Sequence, residues 1–97
     1  MTQTQTEVLL SVRGYEFEMD HWMTIRLPEG ARILKVDAPD DIPCLWALID
    51  PFRTPKPKTF AIYRTGETIH RFTPLGAYVA TFQHGTHAYY MFEEDEG

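Results

Sequence analysis

Seven prolines, at Pro28, Pro39, Pro43, Pro51, Pro55, Pro57 and Pro74, cut the middle of this 97-residue chain into pieces too short for ordinary helices. Each removes a backbone donor and pushes its predecessor towards extended conformations. Strands and turns are what remain. Between two of these prolines lies the one unbroken apolar run, Cys44-Leu45-Trp46-Ala47-Leu48-Ile49, closed by Asp50-Pro51. Its length suits a strand at the centre of a core, with Trp46 as the expected anchor.

The rest of the chain alternates or turns every few residues. Val8, Leu10 and Val12 alternate with polar neighbours, and the apolar parity then flips to Tyr15 and Phe17 beyond Gly14. That pattern predicts a strand bent by a bulge at glycine, or else a short helix from Thr6 capped by Gly14. Met23, Ile25 and Leu27 predict a strand, followed by a tight reversal at Pro28-Glu29-Gly30. Arg32 to Asp37 reads as a third strand, expected to pair as a hairpin with the apolar run after the loop Ala38 to Pro43.

Asp50 to Lys58 carries three prolines at short spacing and reads as a stiff, extended surface loop, poor at joining a sheet. Thr59 to Arg64 resumes alternation, with Phe60 and Ile62 on one face, and gives a fifth strand. Ala77 to Phe82 and Ala88 to Phe92, joined through Gly85, predict a final hairpin. The fold class that follows is mainly β: one antiparallel sandwich or partly open barrel of about six or seven strands, with at most one short helix. Residues 1–97 form one domain, and residues 1–6 and 93–97 are expected to be mobile tails.

No stretch approaches the roughly 18 apolar residues of a membrane span, and the start lacks the order of a secretory signal, so a cytoplasmic location is expected. The single cysteine, Cys44, lies within the apolar run and reads as a small buried hydrophobe. Net charge is -5, yet Arg53 to Arg71 holds five basic residues and one acid, a balance of +4 that leaves -9 for the remainder. One basic edge on an acidic body would result if those residues cluster, and solvated loop charge if they do not.

No residue pattern points to catalysis. Ser11, the only serine, lacks a nucleophile elbow, and no glycine-rich phosphate loop is present. His84 and His87 flank the last turn, but two ligands do not make a metal site. Asp40-Asp41 and the acidic C-terminus offer no contrast of environment for acid and base roles. The expectation is therefore a non-enzymatic chain without cofactor. Nucleic acid would use Arg53, Lys56, Lys58 and Arg64 interleaved with aromatic rings, against which the acidic whole argues. Protein binding would use Trp22, Tyr63 and Tyr89 as aromatic anchors beside the proline-rich loop.

Leu27-Pro28-Glu29-Gly30-Ala31, Ile42-Pro43-Cys44-Leu45-Trp46-Ala47-Leu48-Ile49-Asp50-Pro51, Tyr63-Arg64-Thr65-Gly66, Tyr78 to Phe82 and Met91-Phe92-Glu93 together resemble a small protein family common in phages and prophages. The resemblance covers about Tyr15 to Glu93. Arg64 stands where related sequences tend to carry glycine, and the segment before Tyr15 looks like an extension. The resemblance implies a phage accessory protein, acting in the host cytoplasm by binding a host macromolecule, with inhibition of an antiviral defence system as the expected role. A second reading is a sequestering protein for a nucleotide-like small molecule, with multimers expected, and a third is a structural module of a phage assembly. The candidate binding residues are Arg53, Lys56, Lys58, Tyr63, Arg64 and Trp22.

Overall fold

The computed structural model describes residues 9–95. Seven strands follow one another: β1 Ser11–Glu16, β2 Trp22–Pro28, β3 Arg32–Asp37, β4 Cys44–Ile49, β5 Pro55–Arg64, β6 Leu75–His84 and β7 His87–Glu94. They form two antiparallel sheets, ordered β1-β4-β3 and β2-β5-β7-β6, which are not closed into a barrel. A single short 3-10 turn, Pro39–Asp41, lies between β3 and β4. The predicted reversal after β2 is present, with the Ala31 N–H donating to Pro28 O at 3.0 Å and Gly30 at φ 82°. It carries the chain from one sheet to the other.

The two sheets bury their facing sides against each other. Leu45, Ala47 and Ile49 are fully buried on β4, and Phe60, Ile62 and Met91 meet them from β5 and β7. Each such large side chain removed from water is worth about 1.5–3 kcal/mol, so this strip supplies much of the cohesion. Further inward rings come from the segment around β1, from β6 and from β7: Phe17 meets Phe82 edge-on at 6.1 Å between centroids, and Tyr89 packs beside them.

Four expectations are corrected. Trp46 is not a core anchor: it sits on the outer side of β4, opposite Gly14, with Lys35 Nζ 5.5 Å above its ring. An unbroken apolar run hides which of its faces points inward, and Leu45, Ala47 and Ile49 take the core. Gly14 makes no bulge. β1 runs through it in unbroken register, and its missing side chain makes room for Trp46, whose Nε1 would lie 3.1 Å from an added Cβ. Residues 11–16 are therefore strand and not helix, while the tail expected at residues 1–6 lies outside the described residues.

Pro55 to Lys58 are not loop but the first part of β5, where Pro55 and Pro57 face Pro28 and Arg26 of β2. β7 pairs with β5 only from Phe60 onwards, so the prolines lie where the strand has one free edge, and a missing donor there breaks no ladder. At the C-terminus, Glu93 and Glu94 belong to β7 and not to a tail. The third and fourth strands do pair, with a bulge between Ile33 and Lys35 that leaves Leu34 exposed.

Candidate functional site

Cross-strand register collects aromatic rings on the outer face of the four-stranded sheet. Trp22 faces Ala61, Ala61 faces Phe92, and Phe92 faces Tyr78, a row crossing all four strands. The next row along is Tyr63, Tyr90 and Thr81. Tyr78 and Phe92 meet edge-on at 6.1 Å, Tyr78 Oη lies 2.7 Å from Thr81 Oγ1, and Thr65 Oγ1 donates to Tyr90 Oη at 3.3 Å. No carboxylate, amine, imidazole or guanidinium interrupts these two rows. Direct cross-strand pairs of this kind are the unit by which a sheet face is held rigid.

The segment from Thr65 to Pro74 must pass over that face. β5 and β6 are both antiparallel to β7, which lies between them, so they are parallel and need a crossover. One end is fixed at the β2 side, where Glu67 Oε2 is 2.7 Å from His21 Nε2. The other is fixed beside β7, where the Asp95 N–H donates to Pro74 O at 2.8 Å. Strands lie about 4.8 Å apart and extended chain advances about 3.3 Å per residue, so the residues between Glu67 and Pro74 suffice for a diagonal path and little more. The inner side of the sheet is filled by the core, which leaves the outer side.

Exposure along this strap agrees with that route. Ala61, on the solvent side of its sheet, has none of its surface exposed, and Trp22, Tyr63 and Phe92 are half-buried. Ile69 is half-buried while His70, Arg71 and Phe72 are exposed. Glu67 holds the strap with both carboxylate oxygens, one accepting the Arg64 N–H and the other meeting His21. His21 in turn stacks on Tyr63 at 5.2 Å. The Arg64 N–H, then His21, hold the Glu67 carboxyl below the usual carboxylate range.

Trp22 and Tyr63 thus share a face, as binding candidates would, but they lie partly covered. The rings left open are Phe72, 81% exposed, Tyr78, 59%, and Tyr90, 36%. Tyr89, also expected to be exposed, points inward and packs against the core, stacked on Phe82 at 5.8 Å. Period-two alternation alone would have placed Tyr90 outside and Tyr89 inside once Met91 was assigned to the core.

Of the basic candidates only Lys56 and Lys58 are brought together. Arg53 lies in the turn before β5, with Nη2 3.5 Å from Glu29 Oε1. Lys56 and Lys58 pair with Leu27 and Ile25, which are core residues of β2, so both lysines occupy the inner face of β5 at its open end. Arg64 closes the far end of the strand and lines a smaller hollow of about 310 Å³ with His21, Glu67 and Tyr89. Arg53 and Arg64 stand at opposite ends of the ten-residue β5. Arg64 is not at a positive φ, which Gly66 takes instead at 90°, so arginine is compatible with that turn.

The two histidines of the last turn do face each other, His84 opposite His87. His84 Nε2 lies 3.2 Å from Asp41 O, and the Gly85 N–H donates to Asp41 Oδ1 at 3.2 Å. Asp40 and Asp41 both adopt positive φ, 53° and 65°, conformations that aspartate tolerates better than most residues. This connection fastens the tip of the β6–β7 hairpin to the other sheet. Among the described residues no group of three or more His, Cys, Asp or Glu is placed to hold a metal ion. Cys44 is buried and desolvation pushes its thiol up, which lowers its reactivity. No helix among the described residues is long and apolar enough to cross a membrane.

A family model described as a domain of unknown function (DUF7352) matches residues 11–97, and the chain belongs to that family. No curated protein and no solved structure matches it.

Proposed function

We propose that this member of the family is a non-enzymatic binding protein that docks a protein partner on the outer face of its four-stranded sheet. The observation that carries the reading is the exposure of Phe72, Tyr78 and Tyr90 over a face whose inner rings are already packed and bonded. Aromatic side chains with few rotamers bury large area at low entropic cost, which is why they anchor interfaces. A rigid face with no carboxylate, amine, imidazole or guanidinium in its two ring rows suits a partner that presents an apolar, hydrogen-bonding surface. The reading is non-enzymatic because His21 and Glu67, the pair nearest to acid–base chemistry, are engaged in holding the strap.

The likeness of the Pro28 to Ala31 turn and the Cys44 to Pro51 segment to a phage and prophage family supports a host protein as the partner. Inhibition of an antiviral defence system, in the host cytoplasm, is the role we assign to that contact. Capture of the tagged chain from host cells tests it. One stoichiometric host protein is expected with the wild type and with Val12→Ser, which alters the outer side of the other sheet, and not with a Phe72→Ser, Tyr78→Ser double variant. Equal recovery with the double variant would sink the proposal.

A further inference from the structure

The inner face of β5 reads Lys56, Lys58, Phe60, Ile62, Arg64, so two lysines continue the side of the strand that carries the core residues Phe60 and Ile62. They face a cleft of about 610 Å³, bounded by the Pro28 to Ala31 turn, the start of β5, the bulged part of β6 and Glu93. This volume lies in the range of small-molecule sites. Its walls are apolar where Leu27, Ile33 and Val79 border the core.

The charges of the cleft do not cancel. Glu29 is engaged by Arg53 at 3.5 Å and Glu93 by Lys58, whose Nζ is 3.4 Å from Oε1. Lys56 and Arg32, which also line the cleft, have no ion-pair partner among the described residues. Lys56 is exposed at the open end of the cleft, and a cation with no fixed partner beside apolar walls is available to an anion.

We infer that this cleft binds a small organic anion, its charged head on Lys56 and Lys58 and its apolar body against Leu27, Ile33 and Val79. Glu93 competes for Lys58, so the acid limits the affinity. Phe72 does not line this cleft, whereas Tyr78 borders both it and the docking face proposed above, so Phe72→Ser is the variant that separates the two proposals.

Titration of the isotope-labelled full chain by NMR, with n-hexyl phosphate, inorganic phosphate and 1-hexanol, tests the assignment. Hexyl phosphate should saturate with a Kd on the order of 1 mM or tighter, perturbing the amides of Leu27, Glu29 to Ile33, Lys56 and Lys58, and each half-molecule should bind about tenfold more weakly. Lys56→Gln should weaken hexyl phosphate about tenfold, Glu93→Gln should tighten it several-fold, and Phe72→Ser should leave it unchanged. Shifts that scatter over the surface without saturating, or Lys56→Gln and Glu93→Gln variants that both bind as the wild type does, would overturn the inference.

Discussion

Glu67 reaches back 46 positions to His21, and the 2.7 Å contact between them fastens the crossover strap to the edge of the sheet it crosses. The same carboxylate accepts the Arg64 N–H, so one side chain closes the turn and anchors the strap. His21 is exposed and Glu67 half-buried at the surface, and the contact works as a local latch that adds little to global stability.

Loss of that latch should be visible locally and only above a certain pH. Glu67 has a folded-state pKa below its ordinary value of 4.5, so its contribution is fully present above that value and is lost as pH falls through the lowered one. Glu67→Gln should speed amide exchange at Arg64 several-fold at neutral pH, with little change in Tm. In acid, below the lowered value, wild type and variant should exchange alike, as measured by NMR or mass spectrometry.

Two glycines should differ in their tolerance of a methyl group. An added Cβ at Gly76 would lie 2.9 Å from the Glu93 backbone oxygen, whereas at Gly14 the nearest atom is in the Trp46 side chain, at 3.1 Å. Backbone held in a sheet cannot give way as an indole can. Gly76→Ala should therefore cost about 1–3 kcal/mol, lowering Tm by about 4–8 °C for each kcal/mol, and Gly14→Ala should cost less, with a shift in tryptophan emission.

Phe60→Ala should cost about 3–5 kcal/mol by removing the largest fully buried side chain, and Trp46→Ala clearly less despite the larger ring. Urea unfolding of both variants measures the contrast.

Cys44 should react slowly with thiol reagents in the native state and at least about tenfold faster once the chain is unfolded, since burial both shields the thiol and disfavours its thiolate. Rates with and without denaturant give the comparison.

Much of the fold is legible in the chain because its cues are local. The alternation in Met23 to Leu27 and Thr59 to Arg64, the Pro-Glu-Gly reversal and the Gly85 turn each specify a strand or a turn without help from elsewhere. The misreadings share a different cause. Whether Pro55 and Pro57 can sit in a strand depends on how far β7 extends beside them, and which side of the Cys44 to Ile49 run faces the core depends on Gly14 across the sheet. The candidate site was legible in part: Trp22 and Tyr63 do share a face, but their cover is a strap whose path follows from strand order. Lys56 and Lys58 were visible as cations and not as inward-facing ones, because that requires their register with Leu27 and Ile25.

The contact proposed for the outer face is tested most directly by placing the photo-crosslinker benzoylphenylalanine in place of Phe72, and separately in place of Leu34, which is exposed on the bulged strand of the other sheet. Irradiation in host cells should join one host protein to the chain carrying the crosslinker at position 72 and none at position 34. Equal crosslinking from both positions, or a single host product from position 34 alone, would contradict the assignment of the strap and its aromatic face as the docking surface.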